Sequence, residues 1–154
     1  MKIGILGAGS ISATLVQRLS SAGHDVKVAC SCGPETIDPS LLTSGAQAGD
    51  AADVVVDIDV LISSIPLNRM PAIAPLIRST PPETVVIDTA NYYPRRDGNF
   101  AEIDKGLVES VWVAEQFNRP IAKAWNALTS QSFADKAAPA GTPGRIAIPI
   151  AADR

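Results

Sequence analysis

The glycine-rich turn near the N-terminus constrains the fold of this 154-residue chain more than any other feature. The apolar residues 3–6 end in Gly7-Ala8-Gly9, and apolar residues then recur at helical spacing through residue 19. Gly23 ends that helix, and Val26 and Val28 alternate in the extended segment that follows. The pattern predicts a strand–helix–strand unit that closes within about thirty residues.

Strands and helices alternate along the rest of the chain. Apolar and β-branched runs predict further strands, at residues 60–64, 84–88, 120–125 and 145–150. Helical spacing predicts helices between them, at residues 35–42, 50–56 and 68–78 and again after residue 99. We therefore predict an α/β fold: a Rossmann-type, doubly wound, mostly parallel sheet with helices on both faces, in one domain over residues 1–154.

The C-terminal third is less regular. Gly106 interrupts the helical pattern after residue 99, and Val111, Ala114 and Phe117 then mark one apolar face. Residues 129–144 are rich in Ala, Pro and Gly, which predicts a long loop before the last strand.

Composition and charge narrow the classes of function. The formal net charge is -3, and the longest basic cluster is Arg95-Arg96, so the footprint of a nucleic-acid-binding protein is absent. No uncharged apolar run approaches the roughly 18 residues of a membrane span. Cys30 and Cys32 are too close for an ordinary disulfide and too few for a zinc site. We expect a cytoplasmic protein with free thiols, small-molecule ligands, no metal, and no nucleic-acid or membrane partner.

The glycine turn has the pattern of a dinucleotide-binding site. The first glycine allows the tight turn, and the second lets a diphosphate approach the free amides that open the helix. Ser12 replaces the usual third glycine and is small enough for helix and strand to stay close. The position of the turn between a strand and a helix favours a dinucleotide site over a purely structural turn.

The end of the second predicted strand bears on the choice of dinucleotide. NAD enzymes usually place a carboxylate there, whereas this chain has Cys30-Ser31-Cys32. The missing carboxylate counts against NAD more than against NADP, although no arginine follows in this turn to bind a 2′-phosphate. Two interpretations of this turn remain open: it forms a pocket for the 2′-phosphate, or it merely ends the strand.

Three further strand ends should reach the carboxyl edge of the sheet, where open α/β folds bind ligands: Ser64-Ile65-Pro66, Thr89-Ala90-Asn91 and Trp125-Asn126. Asn91 and Asn126 could hold a nicotinamide amide or a substrate carbonyl if they converge. No catalytic residue is predicted, because the only histidine, His24, falls at the opposite edge and no Tyr-x-x-x-Lys pair occurs. Hydride exchange between two cofactors needs no such group, since the cofactors bring the chemistry.

These segments together resemble the family of deazaflavin (coenzyme F-420)-dependent NADP reductases and their dinucleotide-binding relatives. The resemblance runs from residue 1 to about residue 126 and is carried by MKIGILGAGS at 1–10, GHDVKV at 23–28, IP at 65–66, VIDTANYYP at 86–94, VAEQ at 113–116 and KAWN at 123–126. It implies a Rossmann domain that binds NADP(H) at the glycine turn. Some members pass hydride to or from a deazaflavin that lies over the nicotinamide.

The resemblance also implies roles for single residues. Ala8, Gly9, Ser10 and Ile11 would surround the diphosphate, Ser31 would touch the 2′-phosphate, and Ile65-Pro66 would pack near the nicotinamide ribose. Asn91 and residues 124–126, Ala124 and Asn126 included, would line the nicotinamide pocket. Cys32 stands where close relatives usually have an arginine. The chain stops at Arg154, where the family usually continues into a helical segment that completes the core, the dimer and the substrate pocket.

We therefore predict an oxidoreductase domain, expected to be a homodimer, that binds NADP(H), or else NAD(H), and exchanges hydride with a deazaflavin or flavin. Two alternatives stay open. One is a 6-phosphogluconate-like hydroxy-acid dehydrogenase that uses Lys123 and Asn126. The other is a dinucleotide-binding module without catalytic activity.

Overall fold

The computed structural model describes residues 1–152, which form a seven-stranded sheet. The strands are β1 (Lys2–Leu6), β2 (Asp25–Ala29), β3 (Gln47–Ala48), β4 (Val60–Ser63), β5 (Val85–Asp88), β6 (Ala122–Ala124) and β7 (Ile150–Ala152). Their order across the sheet is β3-β2-β1-β4-β5-β6-β7. All neighbouring pairs are parallel except β6 and β7, which are antiparallel. The predicted Rossmann-type α/β fold is confirmed.

Helices cover both faces of this sheet. They are α1 (Ser10–Ser21), α2 (Ala51–Val54), α3 (Met70–Arg78), α4 (Pro94–Asp97), α5 (Ala101–Asp104), α6 (Glu109–Phe117) and α7 (Ser130–Lys136). Helices α1 and α7 pack over one apolar core, which includes Ile5, whereas α2, α3 and α6 pack over a second core, which includes Leu6. Neighbouring residues of β1 thus enter opposite cores, because successive side chains of a strand alternate between faces. Every helix within residues 1–152 is too short or too polar to span a lipid bilayer.

The strand order reverses at β1, which pairs with β2 on one side and β4 on the other. The crossovers that leave β1 and β4 run over opposite faces of the sheet, so a crevice opens between the carboxyl ends of these two strands. Ligands of open α/β sheets bind at such a switch point. Lower in β1, a Cβ at Gly4 would lie 2.3 Å from the carbonyl oxygen of Val54, so glycine is needed for α2 to approach the sheet.

The predicted loop at residues 129–144 is wrong in its first half, which forms α7. The Thr129 side chain accepts a hydrogen bond from the Ser132 amide and caps this helix. Phe133 is buried at 4% exposure, with its ring centroid 6.4 Å from that of Trp125. The cap and this buried contact stabilise a helix that the Ala- and Pro-rich composition concealed.

The predicted last strand at residues 145–150 is displaced. Only Ile150 of that range lies in β7, which continues to Ala152. Pro149 has no amide hydrogen to donate to a neighbouring strand, which explains why pairing begins after it.

The helix pattern after residue 99 forms two helices, α5 and α6, on either side of Gly106. Its predicted apolar face is partly wrong, because Val111 is 45% exposed while Trp112 and Val113 are buried with Phe117. The Trp112 ring turns inward against an aromatic partner outside the helix, Phe100, at a centroid distance of 4.8 Å.

The predicted helix at residues 35–42 is replaced by two short 3₁₀ turns, Pro34–Thr36 and Pro39–Leu42. Asp38, which precedes Pro39, is extended with ψ 120°, as residues before proline usually are. Strand β3 was not predicted, since two residues are too few to show a periodic pattern.

Candidate dinucleotide-binding site

Two adjoining grooves occupy the carboxyl edge of the sheet. The first groove, of about 560 Å³, lies between the ends of β1 and β2 and the start of α3. The second groove, of about 490 Å³, lies between the start of α1 and the ends of β5 and β6. Gly9 and Ser64-Ile65-Pro66 line both grooves, so the two form one cleft that crosses the switch point.

Gly7 forms the floor of this cleft and only glycine fits there. Its φ is +107°, and a Cβ would lie 2.2 Å from the carbonyl oxygen of Ser64. Its amide donates a 2.8 Å hydrogen bond to the carbonyl of Ala29. The turn thus holds the ends of β1, β2 and β4 together.

Gly9 leaves open space where a side chain would otherwise project. A Cβ at this position would meet no atom of the described residues within 4 Å. Gly9 is also the N-cap residue of α1. No side chain of residues 1–152 caps this end, and the first turn contains no acidic residue. The amides that open a helix have no partner within it, and the helix dipole favours an anion there. The space and the free donors fit the diphosphate of a dinucleotide.

Helix α1 packs closely on the sheet just below these amides. Ser12, in the place of the third glycine, is fully buried, and its hydroxyl has no hydrogen-bond partner in the part of the chain that the structure describes. Burial of this small side chain fits the predicted close approach of helix and strand.

The turn after β2 contributes Ser31 to the first groove, whereas Cys32 is exposed and lines neither groove. The Cys30 sulfur lies 3.1 Å from the Thr36 hydroxyl and 3.2 Å from the carbonyl oxygen of Gly33. The turn is therefore folded on itself and presents Ser31 to the cleft.

Arg69 also lines the first groove, and sequence reasoning missed it. It lies in the 3₁₀ turn Leu67–Arg69 that leads into α3, on a different crossover from the β2 turn. Its position three residues after Pro66, just past a strand end at the ligand-binding edge, was the signal that could have identified it.

Asn91 and Asn126 reach the carboxyl edge of the sheet, as predicted, and the structure brings them together in the second groove. The side-chain amide of Asn91 donates a 2.7 Å hydrogen bond to the main-chain carbonyl of Asn126. The side-chain nitrogen of Asn126 lies 3.4 Å from the side-chain oxygen of Asn91. Trp125, with a left-handed φ of +60°, turns the chain from β6 into this groove. Ala124 does not line either groove, because it is buried within β6.

The loop that carries Asn91 is held by a buried ion cluster. The Lys123 ammonium lies 2.6 Å from the Asp88 carboxylate and also contacts Glu109. Asp88 accepts a 3.1 Å hydrogen bond from the Ala90 amide, and Glu109 accepts one of 2.6 Å from the Tyr92 amide. Burial raises the pKa of Asp88, although Lys123 and the Ala90 amide act in the opposite direction.

An ion pair between Asp97 and Arg96 also supports this loop. Asp97 accepts hydrogen bonds from the Tyr93 amide at 3.0 Å and from the Arg96 side chain at 2.7 Å, and Arg96 donates to the Asn91 carbonyl at 2.9 Å. Burial alone would raise the pKa of Asp97, but the hydrogen bonds from Arg96 and Tyr93 outweigh it and hold that pKa below its usual value. The backbone on both sides of Asn91 is therefore held by hydrogen bonds to carboxylate and guanidinium side chains.

Eleven of the thirteen residues predicted to bind the cofactor line the cleft. Those in the first groove are Gly7, Ala8, Gly9, Ser31, Ser64, Ile65 and Pro66. The second groove adds Ser10, Ile11, Asn91 and Asn126. The structure does not bring Cys32 and Ala124 to either groove.

A groove of similar volume, about 580 Å³, lies at the opposite edge of the sheet, beside Arg78 and Arg119. Both guanidinium groups there donate to main-chain carbonyls, Arg78 to Gln116 and Arg119 to Thr84. The two arginines therefore tie segments of the chain together rather than face a ligand.

Comparison with known proteins identifies a family and a shared fold. The model of the family described as NADP oxidoreductase, coenzyme F420-dependent, matches residues 2–92. No curated protein sequence matches the chain significantly.

Three solved structures show the shared fold. A hypothetical protein from Sinorhizobium meliloti is 23% identical with a TM-score of 0.67, over 88% of this chain and 66% of its own. A protein from Arthrobacter sp. FB24, provisionally named an F420-dependent NADP reductase, is 16% identical with a TM-score of 0.69, over 100% of this chain and 74% of its own. Glycerol-3-phosphate dehydrogenase from Saccharomyces cerevisiae is 16% identical with a TM-score of 0.64, over 88% of this chain and 44% of its own. The chain thus spans from 44% to 74% of the length of these proteins.

Proposed function

The chain belongs to the family of coenzyme F420-dependent NADP oxidoreductases, and from this membership we propose that it binds NADP(H) across the two grooves and exchanges hydride with a deazaflavin or flavin. The observation that carries the proposal is the open space at Gly9, beside the uncapped amides of α1, where the two grooves join. A diphosphate bound there would direct one half of the dinucleotide into each groove.

The two grooves suit the two halves differently. The first groove is walled by small and apolar residues, Ala51, Ala72 and Ile73, and by the turn after β2, which suits an adenosine. The second groove presents the Asn91 and Asn126 side chains, whose amides can donate to or accept from a nicotinamide carboxamide. When bound, NADP(H) supplies the hydride, and the residues of the chain hold its ring in position.

The residues that line the second groove support direct hydride transfer. Within the described residues, its walls contain no carboxylate, histidine or lysine. Its titratable side chains are Tyr93 and Arg96, and the Arg96 guanidinium is ion-paired with Asp97 and lies 4.9 Å from the Tyr93 ring centroid. Hydride exchange between two cofactors depends on proximity and orientation, which well-aligned systems convert into about 7–11 kcal/mol of barrier lowering.

The hydroxy-acid dehydrogenase alternative receives no support from this geometry. It requires Lys123 to face the substrate, whereas the Lys123 side chain is buried between Asp88 and Glu109 and lines neither groove.

Titration followed by anaerobic turnover tests the proposal. NADPH is first titrated into the protein, and oxidised deazaflavin, FMN or ferricyanide is then added while NADPH absorbance is followed. We expect saturable binding and NADPH oxidation coupled to reduction of deazaflavin or flavin. Binding with no transfer to any acceptor would favour the non-catalytic module, and the absence of any NADPH or NADH binding would contradict the proposal.

A further inference from the structure

Among residues 1–152, the first groove has a single charged residue in its wall, Arg69. The remaining lining residues are apolar or uncharged, and Cys30 and Ser31 are the ones that follow β2. A groove with one positive charge and no carboxylate in its wall favours an anionic ligand.

The Arg69 guanidinium is available to such a ligand. The side chain is exposed, and across residues 1–152 it makes neither a hydrogen bond nor an ion pair. Three other arginines are already engaged, since Arg78 and Arg119 donate to main-chain carbonyls and Arg96 pairs with Asp97. Arg69 is also anchored at its base, because its amide donates a 3.0 Å hydrogen bond to the Pro66 carbonyl at the end of the β4 turn.

NAD and NADP differ only at the adenosine ribose, where NADP carries a 2′-phosphate. Discrimination between them usually depends on a carboxylate that accepts the 2′-hydroxyl or an arginine that binds the phosphate. The turn after β2 supplies neither group, since its residues are Cys30, Ser31 and Cys32. A guanidinium makes charge-assisted, bidentate hydrogen bonds to phosphate, which a thiol cannot make.

We propose that Arg69 is the residue that selects NADP over NAD, by reaching across the first groove to the 2′-phosphate beside Ser31. This inference rests on the proposed function, because it assumes that the first groove holds the adenosine half. Arg69 reaches the phosphate from the α3 side of the groove, and thereby supplies the charge that the β2 turn lacks.

Calorimetric titration of NADPH and NADH into wild type, Arg69→Gln and Arg95→Gln tests this role at one fixed ionic strength. Arg95 is the matched control, because it is an exposed arginine that lines neither groove. We expect wild type to bind NADPH more tightly than NADH, and Arg69→Gln to weaken NADPH binding by about tenfold, as for loss of a charged hydrogen bond. NADH affinity should change less than about twofold, which also reports that the variant is folded, and Arg95→Gln should resemble wild type for both ligands.

The outcomes separate the two claims. If wild type binds both dinucleotides and Arg69→Gln weakens neither, or weakens both equally, the assignment of Arg69 to the 2′-phosphate is wrong while the proposed function stands. An equal loss would place Arg69 on the diphosphate that both ligands share. If wild type binds neither dinucleotide, the proposed function fails and this inference fails with it.

Discussion

A Cβ placed on Gly7 would lie 2.2 Å from the carbonyl oxygen of Ser64. The chain after β1 therefore packs against the chain after β4 at a position that has no room for a side chain. Gly7→Ala should therefore lower the free energy of unfolding by at least about 2 kcal/mol, from backbone strain at φ +107° and from overlap with Ser64. Urea unfolding measures this loss. Gly23→Ala is the control, because Gly23 has φ +85° but a Cβ there would meet no atom of residues 1–152 within 4 Å. Equal losses in the two variants would show that the contact with Ser64 does not matter.

Lys123→Ala should act on stability rather than on chemistry. It leaves the carboxylates of Asp88 and Glu109 without their buried partner, which we expect to cost about 3 kcal/mol of unfolding free energy. Chemical denaturation of Lys123→Ala and of the double variant Lys123→Met, Asp88→Asn tests this. The double variant removes the charges of Lys123 and Asp88 and leaves only the less buried Glu109, so it should recover part of the loss. A Lys123→Ala protein of unchanged stability and NADPH affinity that has lost all turnover would instead support an acid–base role.

Acid should weaken the support of the Asn91 loop through Asp97. Because the pKa of Asp97 is lowered in the folded protein, its contribution to stability is present above the pKa of an unfolded aspartate, about 4, and is lost as the pH falls through the lower folded value. The unfolding free energy of wild type should therefore fall more than that of Asp97→Asn between pH 6 and about pH 3. The same decrease in both proteins would mean that other groups control the acid response.

Cys32→Arg should raise NADPH affinity. Cys32 is exposed beside Ser31, and an arginine there would add a second guanidinium near the expected 2′-phosphate. We expect calorimetry to show NADPH binding tighter by about tenfold, NADH binding unchanged, and Cys32→Ser equal to wild type. An equal gain for NADH, or no gain for NADPH, would place the 2′-phosphate away from the end of β2.

The sequence predicted those parts of the molecule that depend on local pattern. The strand–turn–helix around Gly7 and Gly9 follows from periodicity and glycine placement. The placement of Asn91 and Asn126 at one edge follows from the rule that parallel strands end together, whereas their hydrogen bonds to each other became visible only in the fold. Helix α7 could not be predicted, because its stability depends on the burial of Phe133 against distant elements rather than on the local pattern.

Other features of the site are tertiary in origin. Arg69 enters the first groove from a different crossover than Ser31, so no spacing rule connects the two residues. Lys123 could be suspected of a structural role from its place in a strand, but its two carboxylate partners come from β5 and α6 and become visible only in the fold.

Titration of NADPH into wild type and Gly9→Val by calorimetry at low salt tests the central claim most directly. If a diphosphate rests on the amides at the start of α1, wild type should bind NADPH saturably. Gly9→Val should lose at least about tenfold in affinity, because its side chain fills the open space beside those amides. Its urea unfolding midpoint should stay close to that of wild type, since no atom of the described part of the chain lies within 4 Å of the new Cβ. Wild type that shows no saturable binding, or a stable Gly9→Val that binds as tightly as wild type, would contradict the account.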